Sequence, residues 1–312
     1  MLRFLYAGTR DIVEQNGDRT RDDRRMNDIE LQQYLFDLQG YLVIENALGP
    51  AEVATLNRLI DEQNLTPPGK SPRFGSAPTL EASLLSRRVT PDGRPNEARA
   101  TPVGAGFLDW GQAFCDLLDH PAIMPVLRFR LGDAFRLDRI YGMYMRKGMG
   151  YGRLHADYGA TAPDSGVGPG EYFAFRTNQI YEGFIVVAWA LSDAGPGKGG
   201  FCCIPGSHKS NFMLPGQISE NFEQAPQVVI PDMPAGSVIL FSEALTHGTA
   251  TWHAEHERRT LLYKYCVSHI AWTSRRVQRP TTVELTPRQQ ILLREPGDPL
   301  RHFPSLFEDV VV

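Results

Sequence analysis

The segment Gly152-Arg153-Leu154-His155-Ala156-Asp157-Tyr158 sets an imidazole and a carboxylate two residues apart, just after a run that reads as a strand. In an extended chain, residues i and i+2 project to one face, so His155 and Asp157 converge on a point, as two neighbouring metal ligands must. On its own the pair says little. A chain with 8 histidines meets such spacings by chance, and a surface His–Asp hydrogen bond would use them equally well. Phe241-Ser242-Glu243-Ala244-Leu245-Thr246-His247-Gly248 offers a third ligand, His247, at the end of another strand run. It lies 90 residues beyond Asp157, a gap that strands brought side by side can close. Two histidines and one carboxylate form the facial triad that leaves octahedral iron(II) with open positions, but zinc hydrolases use the same donors.

The discriminating feature lies 11 residues beyond His247, where Arg258 and Arg259 begin the strand run Thr260 to Val267. A guanidinium at the base of a β core wants a carboxylate, and a bidentate pair fixes both its position and its orientation. The distal end of 2-oxoglutarate meets that demand. Alternation puts the two arginines on opposite faces of the strand, so only one points inward. The other reading is an exposed arginine pair meeting Glu255 or Glu257.

These groups need a scaffold. From residue 135 onward the chain is a series of β-branched or aromatic runs between Gly/Pro turns: Phe135 to Met145, Ile180 to Leu191, Gly200 to Ile204, Gln227 to Ile230, Ser237 to Phe241 and Thr260 to Val267. No helical pattern separates them, which disfavours parallel βαβ topology and favours an antiparallel sandwich or barrel. Ahead of them, Asn27 and Glu30 make a capping-box-like pair before Leu31, Tyr34, Leu35 and Leu38, and Gly40 ends that helix. Tyr41 to Ile44 reads as a strand, Pro50 opens a second helix lined by Val53, Leu56, Leu59 and Ile60, and two short helical segments fill Phe107 to Leu131, the second starting at Pro121. Leu65 to Pro78 and Pro91 to Gly106 are breaker-rich loops, and Thr286-Pro287 opens a last helix through Leu293.

The expected fold is therefore mainly β, a jelly-roll-like core behind an N-terminal helical layer. The expected organisation is a solvated lead-in over 1–26 and a single domain over 27–312, with helical layer 27–131, β core 135–268 and C-terminal helix and tail 281–312. The 312 residues carry 32 basic and 36 acidic side chains, a net charge of −4 that offers no bulk footprint for nucleic acid or an anionic membrane surface. No window approaches a membrane span and the N-terminus lacks a signal-peptide core, so a cytoplasmic protein is expected. Cys115, Cys202, Cys203 and Cys266 form no C-x-x-C pair, and reduced, buried thiols are the expectation.

The chain resembles the phytanoyl-CoA dioxygenase family of iron(II)- and 2-oxoglutarate-dependent oxygenases. The likeness is carried by Leu154-His155-Ala156-Asp157, Phe184-Ile185-Val186-Val187-Ala188-Trp189-Ala190-Leu191, Gly199-Gly200-Phe201-Cys202-Cys203-Ile204-Pro205-Gly206-Ser207-His208-Lys209, and His247-Gly248 followed by Arg258, in order from about Gly40 to Val267. The resemblance implies a double-stranded β-helix (cupin-like jelly roll), iron held by His155, Asp157 and His247, and 2-oxoglutarate held by Arg258 rather than Arg259, with Trp189 in the cosubstrate pocket. It implies a dioxygenase that turns 2-oxoglutarate and O2 into succinate and CO2 while hydroxylating an unactivated C–H bond of a small molecule. Desaturation, cyclisation and epoxidation belong to the same chemistry. One departure is Ala156, where many members place a polar residue such as Gln. Another is the Gly/Pro-rich loop Tyr158 to Asn178, which is long enough to act as a substrate-covering lid.

The rival reading is a zinc- or manganese-dependent cupin-like hydrolase or isomerase on the same three ligands, leaving Arg258 structural. A catalytically silent binding module is a third. His253-Ala254-Glu255-His256 reads as a solvated loop and His208 as part of a turn, while His120, His269 and His302 have no partner pattern. Arg87, Arg88, Arg94 and Arg99 lie in or near loops that could face a pocket mouth. The prime substrate and the oligomeric state are not encoded in any motif.

Overall fold

A computed structural model describes the chain over residues 21–65, 73–77, 104–150, 153–157, 173–271 and 276–308, with side chains from residue 29 onward. The N-terminal order is helix α1 (Arg21–Gln39), strand β1 (Tyr41–Ile44) and helix α2 (Pro50–Asp61), as the sequence predicts. α1 begins six residues before the expected Asn27 and stops at Gly40, whose φ of +80° would strain any residue bearing a Cβ. Its buried face is not the predicted one. Leu31, Tyr34 and Leu38 are exposed, whereas Phe36 is fully buried, edge-on to Phe129 with ring centroids 6.3 Å apart. Helical spacing identifies the helix, but the elements it packs on decide which stripe is covered.

Strand β2 (Arg73–Ala77) follows, inside the stretch Leu65 to Pro78 that was expected to be a loop. A 3-10 turn at Gly106–Trp110 leads to α3 (Gln112–Cys115) and α4 (Met124–Leu131); α4 starts three residues past Pro121, with Pro125 in its first turn. The remaining elements are β3 (Phe135–Met145), β4 (Phe173–Arg176), β5 (Gln179–Glu182), β6 (Phe184–Ala190), β7 (Gly200–Cys203), α5 (Gly216–Ser219), β8 (Val238–Ser242), β9 (His247–Ala250), β10 (Arg258–Val267) and α6 (Pro287–Leu292). The predicted run Ile180 to Leu191 is two strands, β5 and β6, split at Gly183. The predicted strand Gln227 to Ile230 is reduced to one bridge between Cys203 and Val229, because Pro226 and Pro231 bracket it and withhold ladder donors. α6 has the predicted start: Thr286 accepts from the Gln289 amide at 3.2 Å.

Six strands form one antiparallel sheet in the order β1-β8-β6-β10-β3-β2, and β7 pairs with β9 in a second. The predicted antiparallel double-stranded β-helix is thus present. Alternation sorts β10 cleanly. Leu261, Tyr263 and Tyr265 point to the helical layer, where the two tyrosine hydroxyls donate to the carbonyls of Phe114 (2.7 Å) and Leu118 (2.8 Å). Arg258, Thr260, Leu262 and Lys264 point the other way, into a cavity between the sheets where Phe201 of β7 meets Phe241 of β8 at 4.7 Å. All four cysteines are free and buried, as expected, with Cys202 and Cys203 in separate apolar clusters on the two sides of β7. No helix among the described residues is long and apolar enough to cross a membrane.

Candidate metal centre

His247 is the first residue of β9, and its backbone exchanges two hydrogen bonds with that of His155, N to O at 2.8 Å in both directions. This bridge closes the 90-residue gap and places the rings with centroids 4.5 Å apart. The Asp157 amide donates to the Glu243 carbonyl (3.1 Å), tying the other end of the same segment to the turn after β8. One ligand atom from each of His155, Asp157 and His247 lies within 4.8 Å of the others, and they are the one such trio among the described residues.

Backbone carbonyls fix both histidine rings. Nδ1 of His155 faces the Arg153 carbonyl at 2.8 Å and Nδ1 of His247 faces the Leu245 carbonyl at 2.7 Å. A carbonyl only accepts, so each Nδ1 carries the proton and each Nε2 presents its lone pair to the centre. Burial, with His155 alongside, pushes the His247 pKa down to about 3, which keeps the ring neutral. For His155, burial works in the same direction but is outweighed by the hydrogen bond and charge of Asp157, and the net shift is upward.

Asp157 divides its oxygens. Oδ1 lies 3.5 Å from His155 Nε2, on the ligand side, and Oδ2 accepts from Lys264 Nζ at 2.7 Å. Lys264 also meets Glu243 at 2.6 Å, so one buried ammonium spans two carboxylates. Burial alone would raise the pKa of Asp157, but Lys264 and the two imidazoles hold it well below its usual value. Glu243 is pushed up to about 7, chiefly by burial. Burial would lower the Lys264 pKa, yet the two carboxylates raise it and the ammonium persists. Lys264, Glu243 and Arg139, Lys264's register partner on β3, were absent from the sequence expectations.

Arg258 and Arg259 take the opposite faces that alternation requires. Arg259 turns outward to Asp61 (2.7 Å) and Glu257 (2.8 Å). Arg258 is 5% exposed and lines the cavity; its Nε has no partner, and Nη1 meets only the Met145 sulfur at 3.3 Å. Burial brings its pKa down to about 10, so it stays charged. Gly200, at φ +104°, leaves the space beside that head open, since a Cβ there would stand 3.2 Å from Arg258 Nε. A buried cation with an orphaned donor and adjoining space suits a carboxylate.

Trp189 does not join the site. Val186, Ala188 and Ala190 are the cavity-facing residues of β6, and Trp189, of opposite parity, packs edge-on to His120 at 5.1 Å beneath the helical layer. The expectation that it sits in the cosubstrate pocket is corrected by strand alternation. His208 is buried, with Nε2 3.1 Å from the Asp37 carbonyl, and His256 is exposed, so neither joins the trio. The remainder of the proposed lid, residues 158–172, falls outside the described residues, as do Arg87, Arg88, Arg94, Arg99 and residues 1–20 of the lead-in; Phe173–Arg176 of that loop is strand β4, paired with β5.

The family model of phytanoyl-CoA dioxygenase (PhyH) matches residues 36–260. Among solved structures, HygX from Streptomyces hygroscopicus with nickel and 2-oxoglutarate bound is 21% identical over 81% of this chain and 89% of its own, at a TM-score of 0.58. HygX with nickel, 2-oxoglutarate and hygromycin B is 24% identical over 77% and 88%, also at 0.58. HygX with iron bound is 22% identical over 77% and 87%, at 0.55. No curated protein sequence matches.

Proposed function

Since the chain belongs to the phytanoyl-CoA dioxygenase family, and so to the iron(II)- and 2-oxoglutarate-dependent oxygenases, we propose that it hydroxylates an unactivated C–H bond of a small-molecule metabolite. In this reading His155, Asp157 and His247 hold iron(II), and Arg258 takes the distal carboxylate of 2-oxoglutarate. Bound together, the metal and the keto acid supply the oxidation, reducing O2 while 2-oxoglutarate becomes succinate and CO2. The chain's own residues do the rest. His155 and His247 offer Nε2 lone pairs fixed by backbone carbonyls. Lys264 keeps Asp157 ionised and engages the oxygen turned away from the ligand side. Val186, Ala188, Ile239 and Leu262 line the cavity with apolar surface that excludes water around the reacting bond.

The observation that carries the reading is the unpartnered, buried head of Arg258 facing the same cavity as the trio. A zinc or manganese hydrolase would leave that cation without a purpose. HygX, which shares the fold, is described with 2-oxoglutarate and with hygromycin B, which fits a small-molecule substrate here as well. In the test, the protein is loaded anaerobically with iron(II) and 2-oxoglutarate and then exposed to O2. A weak visible metal-to-ligand band followed by succinate release is expected, even without prime substrate. Neither signal appears if the chain is a hydrolase or a silent module.

A further inference from the structure

We propose that the prime substrate carries an anionic group, bound by Arg139. The inference rests on the oxygenase reading only in assigning 2-oxoglutarate to Arg258. Arg139 is 8% exposed and lines the cavity, its Nε and Nη2 have no hydrogen-bond partner, and it makes no ion pair among the described residues. A buried guanidinium whose donors go unmet is costly, and a carboxylate or phosphate group entering the cavity meets such donors best.

The cosubstrate does not fill that seat. On β3, Arg139 pairs with Lys264 while Arg258 pairs with Met145, six residues along, which puts the two arginine anchor points about 20 Å apart on the sheet. 2-Oxoglutarate has two carboxylates, one directed to Arg258 and one to the metal. Iron(II) and 2-oxoglutarate also bring equal and opposite charges, so their arrival leaves the charge of the wall as it was. Lys264 is engaged by Asp157 and Glu243. Glu243 feels the charge of Arg139, but no carboxylate meets its Nε or Nη2. On the neighbouring strand β2, Arg73 pairs with Met143, and its guanidinium lies over the Tyr141 ring at 4.7 Å on the wall of the same cavity. The neighbouring lining, Met143, Val186, Ala188 and Leu262, is apolar. The ligand chemistry that fits is an apolar body ending in a carboxylate or a phosphate ester.

The test is calorimetric titration of octanoate, octyl phosphate and neutral octanamide into the protein loaded with nickel(II) and 2-oxoglutarate. The anions are expected to bind at least about tenfold more tightly than the amide, and whichever anion binds better identifies the headgroup. Arg139→Gln should abolish the difference while changing 2-oxoglutarate affinity less than about twofold, and Arg139→Lys should restore part of it. Equal binding of anions and amide, no anion binding at millimolar concentration, or discrimination that survives in Arg139→Gln overturns the inference. A tenfold loss of 2-oxoglutarate affinity in Arg139→Gln also overturns it, by assigning the arginine to the cosubstrate. Failure to release succinate defeats the oxygenase reading and leaves the calorimetric discrimination standing, so the two failures are separable.

Discussion

Lys264 Nζ lies 2.7 Å from Asp157 Oδ2, so the carboxylate of the candidate metal centre already has a cation on the side turned away from the histidines. The same ammonium meets Glu243 at 2.6 Å. Replacing Lys264 with methionine leaves two buried carboxylates facing each other, a loss of about 3 kcal/mol for a broken buried pair. Chemical denaturation of metal-free Lys264→Met should show that loss. Adding nickel(II) should raise its midpoint more than it raises that of the parent protein, because the ion then supplies the missing positive charge. A loss below about 1 kcal/mol would mean the lysine is not a neutralising group.

His155→Ala, Asp157→Ala and His247→Ala should each abolish stoichiometric iron(II) or nickel(II) binding by calorimetry and, with it, succinate release. The trio lies on two chain segments joined through backbone, by the His155–His247 bridge and by the Asp157 amide on the Glu243 carbonyl, and side-chain truncation leaves those bonds intact. Circular dichroism should therefore be unchanged. Retained stoichiometric binding in any of the three would remove that residue from the ligand set.

Arg258→Ala should weaken 2-oxoglutarate binding roughly 100-fold, about 2.7 kcal/mol, as expected for a lost buried charge-assisted pair. Arg259→Ala should leave that affinity alone and cost at most about 1 kcal/mol of stability, since its partners Asp61 and Glu257 are partly solvated. The opposite pattern would mean that the strand faces are assigned the wrong way round.

Trp189→Phe gives an independent check on the same alternation. The indole Nε1 is buried without a partner, so the replacement removes an unsatisfied donor along with some packing. Stability should change by less than about 1.5 kcal/mol and 2-oxoglutarate affinity by less than about twofold. A large loss of cosubstrate affinity would return Trp189 to the pocket.

Sequence reasoning read the β half well because its long strands announce themselves by composition, and it singled out His155, Asp157 and His247, which the fold brings together, from their spacing joined to the family resemblance. It missed Lys264 and Arg139 because a single charged residue within a strand carries no motif of its own. The signal was available: from an inward Arg258, steps of two reach Thr260, Leu262 and Lys264, all on the cavity wall. The same counting applied to β6 would have set Trp189 apart from Ala188 and Ala190. β2 escaped because Gly75 and the flanking Pro72 and Pro78 imitate a loop, and its strand character comes only from pairing with β3. The exposed stripe Leu31, Tyr34 and Leu38 shows the converse, an apolar spacing that the rest of the fold leaves uncovered.

His208 gives a pH dependence of stability that does not involve the metal centre. An imidazole in the unfolded chain titrates near 6.5, and in the fold burial, aided by Lys209 and Arg130, brings His208 down to about 4. The unfolded state therefore takes up the proton first as pH falls. Full stability holds above pH 6.5, declines between 6.5 and 4, and levels off below, with a total loss of about 3 kcal/mol from this group. Denaturation curves at pH 7, 5.5 and 4 should show that decline in the parent protein and a shallower one in His208→Gln. Parallel pH profiles would assign the acid sensitivity to other groups.

The register shift on β3 bears on how this barrel wall tolerates changes in length. Lys264 faces Arg139 and Tyr265 faces Leu137, so Asp138 is one residue more than regular pairing needs. That extra residue is a bulge, and its buried carboxylate accepts from Arg136 Nη1 at 2.9 Å. Losing Asp138 itself would straighten the ladder and keep every strand partner opposite its present neighbour, but would take from Arg136 its buried carboxylate. Losing any one residue between Ile140 and Met145 would draw the bulge through and carry Asp138 into the place of Arg139, so a single-codon deletion there would set a carboxylate where the guanidinium now lines the cavity and turn the residues between to their opposite faces.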